Sequence, residues 1–215
     1  EAILSKRGYK RELKMGGEDA GALKSPLGEG HPPVVFEIAA VNADKPPLAK
    51  EEVMGRIREL LSSPLLEEFG LNNVCVSVTS EPLFLQKAAL FKDCEFVVGA
   101  DTMTRLLNPK YYGDKELLME AEKKLPAERV HALREQSMVA ALSTIKERGC
   151  KFVVGGRAAS DQGFVSCRDI LTKEECQYLP LEVRNMFEGI DEKEFRVDLS
   201  STELRMKQAW RDNLA

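Results

Sequence analysis

The chain has 215 residues, of which 43% are hydrophobic and 31% are charged. This composition is typical of a globular domain and excludes the disordered and collagen-like classes. A net charge of -4 argues against a surface that coats nucleic acid, and no apolar run reaches the roughly 20 residues that span a bilayer. We therefore expect a single domain over residues 1–215 that binds small molecules, and neither nucleic acid nor membrane.

Cysteine and histidine usage bears on redox and metal chemistry. The five cysteines are odd in number and widely spaced: Cys75, Cys94, Cys150, Cys167 and Cys176. Without any C-x-x-C pair, they are expected to be reduced thiols in an intracellular, reducing compartment such as the cytoplasm. The two histidines, His31 and His131, are too few for a zinc cage. We predict no metal site in the protein.

Hydrophobic periodicity divides the chain into elements. Residues 1–14 are typical of the end of an amphipathic helix, and residues 15–33, rich in Gly and Pro, are predicted to form a loop. Four apolar runs predict strands: "VVFEIAAV" from Val34, "NVCVSVT", "CEFVVGAD" and "CKFVVGGR". Helical spacing follows in "AKEEVMGRIRELL", in "EPLFLQKAALF", and from about Lys115 to Arg148 with a break at Pro126.

The alternation of these strands and helices predicts the fold class. Strands that are apolar along their length and are separated by helices indicate an α/β fold, an open, doubly wound, mainly parallel sheet with helices on both faces. Ligands bind outside the carboxyl ends of the strands in such sheets. Four stretches at those ends are therefore candidates: residues 41–46, 79–84, 99–104 and 155–163.

Two of these stretches contain candidate ligand contacts. Gly99 would let a ligand approach the backbone, and the Asp101 carboxylate could accept hydrogen bonds from ribose hydroxyls, or could simply be the N-cap of the next helix. Asn42 and Lys45 follow the first apolar strand and form a candidate substrate loop. A lysine in a loop is also commonly only solvated.

A third candidate is "DLSSTELR", residues 198–205. Ser200 followed by Glu203 matches the S-x-x-E capping box, which requires no ligand. Alternatively, hydroxyls and free N–H groups in a first helical turn, with Arg205 one turn later, would bind phosphate. The residues alone leave both interpretations open.

With "FVVGADTMTRLL", "FVVGGR" and "LSSTELR" in this order, the chain resembles the nucleotidylyltransferase superfamily, in particular the nicotinamide and nicotinate mononucleotide adenylyltransferases. The resemblance covers about Val34 to Trp210 and is most specific at "SSTELR". It implies a Rossmann-like fold, ATP and Mg²⁺, and transfer of AMP from ATP to a mononucleotide with release of pyrophosphate. The residues that it assigns to nucleotide and phosphate binding are Gly99, Asp101, Ser200, Ser201, Thr202 and Arg205.

The chain departs from this family at one signature. Members carry H-x-G-H or T-x-G-H after the first strand, and neither occurs here. Because the chain opens with helical spacing, we expect the first strand and the signature to lie upstream of Glu1, so that the domain is incomplete at its N-terminus and inactive as given. No catalytic residue can be assigned from the sequence. A non-catalytic nucleotide-binding relative is the alternative prediction.

Overall fold

The computed structural model describes residues 2–5 by their backbone, and residues 34–68, 71, 74–159 and 163–195. The strands are β1 (Ala2–Ser5), β2 (Val34–Ala39), β3 (Cys75–Thr79), β4 (Cys94–Gly99), β5 (Lys151–Gly155), β6 (Arg157–Ala159), β7 (Gly163–Val165) and β8 (Phe187–Ile190). The α-helices are α1 (Lys50–Leu61), α2 (Pro64–Glu68), α3 (Phe84–Leu90), α4 (Ala100–Leu106), α5 (Lys115–Lys124), α6 (Ala127–Glu147), α7 (Cys167–Thr172) and α8 (Leu181–Arg184).

These elements form an open α/β sheet. The strand order is β3-β2-β1-β4-β5-β8, and β6 and β7 form a separate antiparallel pair. The β2–β3, β4–β5 and β5–β8 pairings are parallel, as predicted, because helical connections return the chain to the same edge. The four strands and the helices predicted from periodicity are confirmed, including the break at Pro126 that separates α5 from α6.

The start of the chain differs from prediction. Residues 2–5 form a strand instead of a helix, and β1 pairs antiparallel with both β2 and β4. A strand therefore occupies the centre of the sheet, where we expected one to be lacking. The physical reason is that the facing edges of β2 and β4 carry main-chain N–H and C=O groups that need partners, and a short apolar stretch can supply them. Residues 6–33, which include the loop predicted over residues 15–33, lie outside the described part of the chain.

The core lies on one face of β4 and β5. Alternate side chains are buried there, and helices α3, α4 and α6 pack over them. Phe152 is fully buried and contacts the rings of Phe84, Phe96 and Phe187 with centroid distances of 5.2 Å, 5.5 Å and 5.2 Å respectively. Such aromatic contacts add to the free energy gained by burial, and they fix α3 against the middle of the sheet.

The amino ends of β4 and β5 are joined by a tight polar contact and two thiols. The backbone N–H of Asp93 donates to the carbonyl oxygen of Arg148 at 2.9 Å. The buried thiols of Cys94 and Cys150 lie 3.8 Å apart, and their sulfur atoms lie 3.2 Å and 3.1 Å from the carbonyl oxygen of Phe91. The hydrogen bond to Cys150 and burial raise the pKa of Cys94. This thiol is therefore neutral at physiological pH.

Candidate functional site

A pocket lies at the carboxyl ends of β2, β3 and β4. It has a cavity volume of about 170 Å³ and opens to solvent. Its lining comes from the segment after β2, the start of α3, α4, and the 3₁₀ turn at Pro109–Tyr111: Ala39, Asn42, Ala43, Asp44, Pro82, Leu83, Phe84, Lys87, Thr102, Arg105, Leu106, Tyr111 and Tyr112. Three of the four stretches predicted at the carboxyl edge therefore contribute to this pocket.

The deepest charged group in the pocket wall is Lys87. Its side chain is 4% exposed, and its Nζ lies 3.0 Å from Oε2 of Glu37, whose side chain is 1% exposed. The other carboxylate oxygen of Glu37 accepts a hydrogen bond from the Thr79 hydroxyl. Nζ of Lys87 also lies 5.0 Å from the centroid of the Phe84 ring, within cation–π range. A carboxylate, a hydroxyl and an ammonium group from three elements thus form a buried polar cluster.

A second set of charges surrounds Asp44 at the rim. The Tyr111 hydroxyl donates to Oδ2 of Asp44 at 2.6 Å. Nε of Arg105 and Nζ of Lys110 lie 3.8 Å and 3.9 Å from the same carboxylate. The Asn42 side-chain oxygen accepts from the backbone N–H of Asp44 at 3.0 Å, which fixes the loop after β2. The rim therefore presents cations and hydrogen-bonding groups in a solvated setting.

The pKa values of a rim lysine, Lys110, and of a buried tyrosine in the pocket lining, Tyr112, are shifted. The pKa of Lys110 is raised, chiefly by its hydrogen bond with Tyr111 and further by the Asp44 charge. Burial raises the pKa of Tyr112, whose hydroxyl donates to the carbonyl oxygen of Leu106 at 2.7 Å. Lys110 is therefore charged and Tyr112 neutral throughout the physiological range.

The end of β4 holds the other predicted contacts. Gly99 is the N-cap residue of α4, so the expectation that Asp101 is the N-cap is wrong; Asp101 lies within the first turn of α4. The Asp101 carboxylate instead pairs with the guanidinium of Arg157, which begins β6. A Cβ added at Gly99 would meet no atom within 4 Å. The backbone here is therefore open to an approaching ligand.

The predicted site residues fall into three groups. Asn42 lines the pocket, whereas Lys45 is exposed and is not part of the lining. Gly99 and Asp101 lie on the same edge of the sheet, beside Arg157. The predicted phosphate ligands Ser200, Ser201, Thr202 and Arg205 lie outside the described residues.

Sequence reasoning missed Glu37, Thr79 and Lys87. A usable signal was present, because Glu37 stands inside the apolar run "VVFEIAAV" and Lys87 inside "EPLFLQKAALF". A charged residue in a strand predicted to be covered on both faces needs a buried partner. The sequence offered many cations, however, and only the three-dimensional fold identifies which one pairs with Glu37.

Over the described ranges, no helix combines the length and the apolar character needed to cross a membrane. Comparisons of the chain with family models, with curated proteins and with solved structures found no match.

Proposed function

We propose that the chain is a nucleotidylyltransferase-type domain that transfers AMP from MgATP to a mononucleotide, such as nicotinamide or nicotinate mononucleotide. The observation that carries the proposal is the meeting of the segments after β2, β3 and β4 in one pocket, with Arg157, after β5, paired to Asp101 beside it. From β2 the chain continues to β3 at one edge of the sheet, and from β4 it continues through β5 to β8 at the opposite edge. In a doubly wound sheet, ligands bind where the strand order reverses in this way.

The handedness of the connections between parallel strands supports helices on both faces of the sheet. Right-handed crossovers are nearly universal between parallel strands of one sheet. The β2–α1–β3 connection and the β4–α6–β5 connection advance in opposite directions, so right-handed crossovers would lie on opposite faces. This arrangement supports the Rossmann-like description that the sequence motifs suggested.

The reaction would be an in-line displacement at phosphorus. An oxygen of the mononucleotide phosphate forms a bond to the α-phosphorus of ATP, the bond to the bridging oxygen breaks, and pyrophosphate leaves with the electron pair. Such a step needs positioning and charge neutralisation more than a general base. Arg157 and Arg105 are cations on this edge that could neutralise phosphate oxygens, together with Arg205 from the predicted phosphate motif.

Magnesium enters the proposal as part of the substrate. Among the residues that the structure describes, no three His, Cys, Asp or Glu side chains gather as a metal-binding group. Mg²⁺ commonly keeps waters and is held largely by substrate phosphates. We therefore assign no protein cage to the ion.

One observation favours the alternative, a nucleotide-binding domain without catalysis. His131 lies on α6, where its Nε2 is 3.2 Å from Glu135, and His31 is outside the described ranges. The described part of the pocket edge therefore holds no histidine that could stabilise the transferring phosphate. This alternative predicts ATP binding without turnover.

Calorimetric titration of ATP tests binding, and pyrophosphate release with MgATP and each mononucleotide tests turnover. We expect Arg205→Ala to weaken ATP binding about 10- to 100-fold, because a charge-assisted hydrogen bond contributes roughly 1.5–3 kcal/mol. Glu203→Ala is the matched control, since the capping role predicted for Glu203 would affect stability by about 1 kcal/mol and leave ATP affinity intact. Equal ATP affinity in Arg205→Ala and the parent would leave "SSTELR" as a capping box only.

A further inference from the structure

Among the described residues, three donor groups surround a carboxylate of the chain itself at the pocket rim. Oδ2 of Asp44 accepts from the Tyr111 hydroxyl at 2.6 Å. Nε of Arg105 and Nζ of Lys110 lie 3.8 Å and 3.9 Å from the same carboxylate. Asp44 belongs to the loop after β2, whereas its three partners belong to the end of α4 and the 3₁₀ turn that follows. Two cations and a hydroxyl thus converge on an anionic group from a separate segment.

The Arg105 guanidinium has donors to spare. Its distance of 3.8 Å from Asp44 is longer than a hydrogen bond, so the two groups attract each other without sharing a proton. Within the part of the chain that the structure describes, this guanidinium makes no hydrogen bond to another residue. The side chain is 54% exposed and lines the pocket. All five N–H donors of Arg105 are therefore available to a ligand.

The balance of charge at the rim favours an anionic ligand. Arg105 and Lys110 carry two positive charges against the one negative charge of Asp44. The buried Glu37–Lys87 pair in the pocket wall adds no net charge. Without the Asp44 carboxylate, the rim would carry two positive charges, which match the charge of about -1.5 to -2 on a phosphate monoester near neutral pH. A carboxylate ligand would neutralise only one of them.

The Asp44 carboxylate can leave its partners while its loop keeps its shape. The backbone N–H of Asp44 donates to the Asn42 side-chain oxygen at 3.0 Å, and the backbone N–H of Leu48 donates to the carbonyl oxygen of Ala40 at 2.8 Å. Neither bond involves the carboxylate, which is 33% exposed and would turn into water. Exposed ion pairs contribute little to stability, so replacing this carboxylate by another anion requires little energy.

We propose that Arg105, Lys110 and Tyr111 form a binding site for the phosphate monoester group of a small molecule, and that Asp44 occupies this site until the ligand displaces it. The identity of the ligand as the mononucleotide acceptor rests on the proposed function. The preference for a phosphate monoester does not, since it follows from the free donors of Arg105 and from the charges at the rim.

Two variants should change phosphate affinity in opposite directions. Arg105→Met should weaken binding of inorganic phosphate and of nicotinamide mononucleotide about 10- to 100-fold, which is the loss expected for a charge-assisted hydrogen bond. Asp44→Asn should strengthen both about two- to fivefold, because the ligand no longer has to displace an exposed ion pair. If Asp44 instead positions Arg105 for the ligand, Asp44→Asn weakens binding. Lys110→Met, which removes the second cation, provides an independent loss in case Arg105→Met does not fold.

An ion pair of α1 supplies matched controls. Glu52 and Arg56 are paired at 2.7 Å, their side chains are 50% and 44% exposed, and neither lines the pocket. Glu52→Gln and Arg56→Met change the net charge of the protein exactly as Asp44→Asn and Arg105→Met do. At about 0.15 M salt, where distant surface charges are screened, both controls should keep the parent's phosphate affinity. Effects in the controls equal to those at the rim would show a general charge effect and overturn the site.

Calorimetry with inorganic phosphate, nicotinamide mononucleotide and nicotinamide riboside, which lacks the phosphate, measures these affinities, and thermal unfolding confirms that each variant is folded. Loss in Arg105→Met and gain in Asp44→Asn for the two phosphate-bearing probes, with riboside binding unchanged, supports the inference. The same pattern in a parent that releases no pyrophosphate from MgATP would overturn the proposed transfer reaction and leave the phosphate site standing. Parent-like phosphate affinity in folded Arg105→Met, weaker phosphate binding in Asp44→Asn, or no phosphate binding by either the parent or Asp44→Asn would overturn the inference.

Discussion

The two ends of β4 and β5 are built from different chemistry. At the amino ends, Cys94 and Cys150 are neutral or weakly polar groups in contact with each other and with backbone carbonyls. At the carboxyl ends, Asp101 pairs with Arg157 in a solvent-exposed position. The neighbouring pocket has in its wall the buried pair of Glu37, from β2, and Lys87, from α3. The amino end therefore follows the rules of a packed core, whereas the exposed Asp101–Arg157 pair at the carboxyl end contributes little to stability. Changes at the first end should reduce stability, and changes at Gly99 or Asp101 should mainly reduce ligand binding.

The largest expected effect tests the packed end. Ile145 of α6 is fully buried and its carbonyl oxygen accepts from the backbone N–H of Cys150 at 3.3 Å. Ile145→Ala should lower the free energy of unfolding by about 2–5 kcal/mol, because it removes buried methyl groups and leaves a cavity. Leu133→Ala, on the same helix but 40% exposed, is the matched control. Urea denaturation measures both, and a similar loss in the two variants would contradict the assignment of the core.

A glycine exchange at each end compares the two ends directly. Gly149 has a φ of 75°, and a Cβ there would overlap the Asp93 side chain. Gly149→Ala should therefore destabilise the protein by about 1–3 kcal/mol. Gly99→Ala introduces a Cβ into open space and should leave the melting temperature nearly unchanged while weakening nucleotide binding. Thermal unfolding measures the stability of both variants, and calorimetry measures their nucleotide affinity. A larger loss of stability in Gly99→Ala than in Gly149→Ala would contradict the comparison.

A smaller effect is expected at the start of α7. Ser166 and Asp169 form a capping box, in which the Ser166 hydroxyl and backbone N–H both donate to the Asp169 carboxylate. These hydrogen bonds hold the pKa of Asp169 below its ordinary value. Their contribution to stability is therefore present above the ordinary aspartate pKa and is lost as the pH falls through the lowered value.

Ser166→Ala should lower the free energy of unfolding by about 1 kcal/mol at neutral pH. The difference between variant and parent should shrink as the pH falls through the aspartate range. Urea denaturation at several pH values measures this difference. A difference that grows on acidification would show that Asp169 is not the group responsible.

The smallest stability effect is expected for Asp101→Asn. The Asp101 and Arg157 side chains are 64% and 44% exposed, so their pairing should contribute at most about 1 kcal/mol to stability. ATP binding should weaken if Asp101 contacts the ribose as proposed, because the charged acceptor is lost. Thermal unfolding and calorimetry on one sample distinguish the roles. Unchanged ATP affinity with a large loss of stability would make the pair structural.

Local patterns predicted much of the sheet. The sequences of β2, β3, β4 and β5 are short apolar runs. Pro126 separates two helices because its ring and its missing N–H do not fit a helix interior. The edge that holds the pocket was predicted from the rule on carboxyl ends, and Asn42 was found through it. These features depend on neighbours in sequence or on a general rule of the fold.

Other features depend on contacts between distant residues. The β6–β7 pair was not predicted, and its strands Arg157–Ala159 and Gly163–Val165 have only three residues each, too few for periodicity to be visible. The pairing of Glu37 with Lys87 joins two elements that are adjacent only in the folded chain. The phosphate-binding role of Ser200 to Arg205 remains a prediction.

The central strand β1 has a consequence for how the protein folds. Its backbone pairs with Phe36 of β2 on one side and Val97 of β4 on the other, positions far away along the chain from Ala2. Within the described strands, β1 alone hydrogen-bonds to both the β2–β3 pair and the β4–β5–β8 group. Closing such long loops costs entropy before any contact is gained, so we expect the two groups to form first and to join late. Until they join, the open edges of β2 and β4 can recruit a strand from another copy, and refolding yield should fall as protein concentration rises.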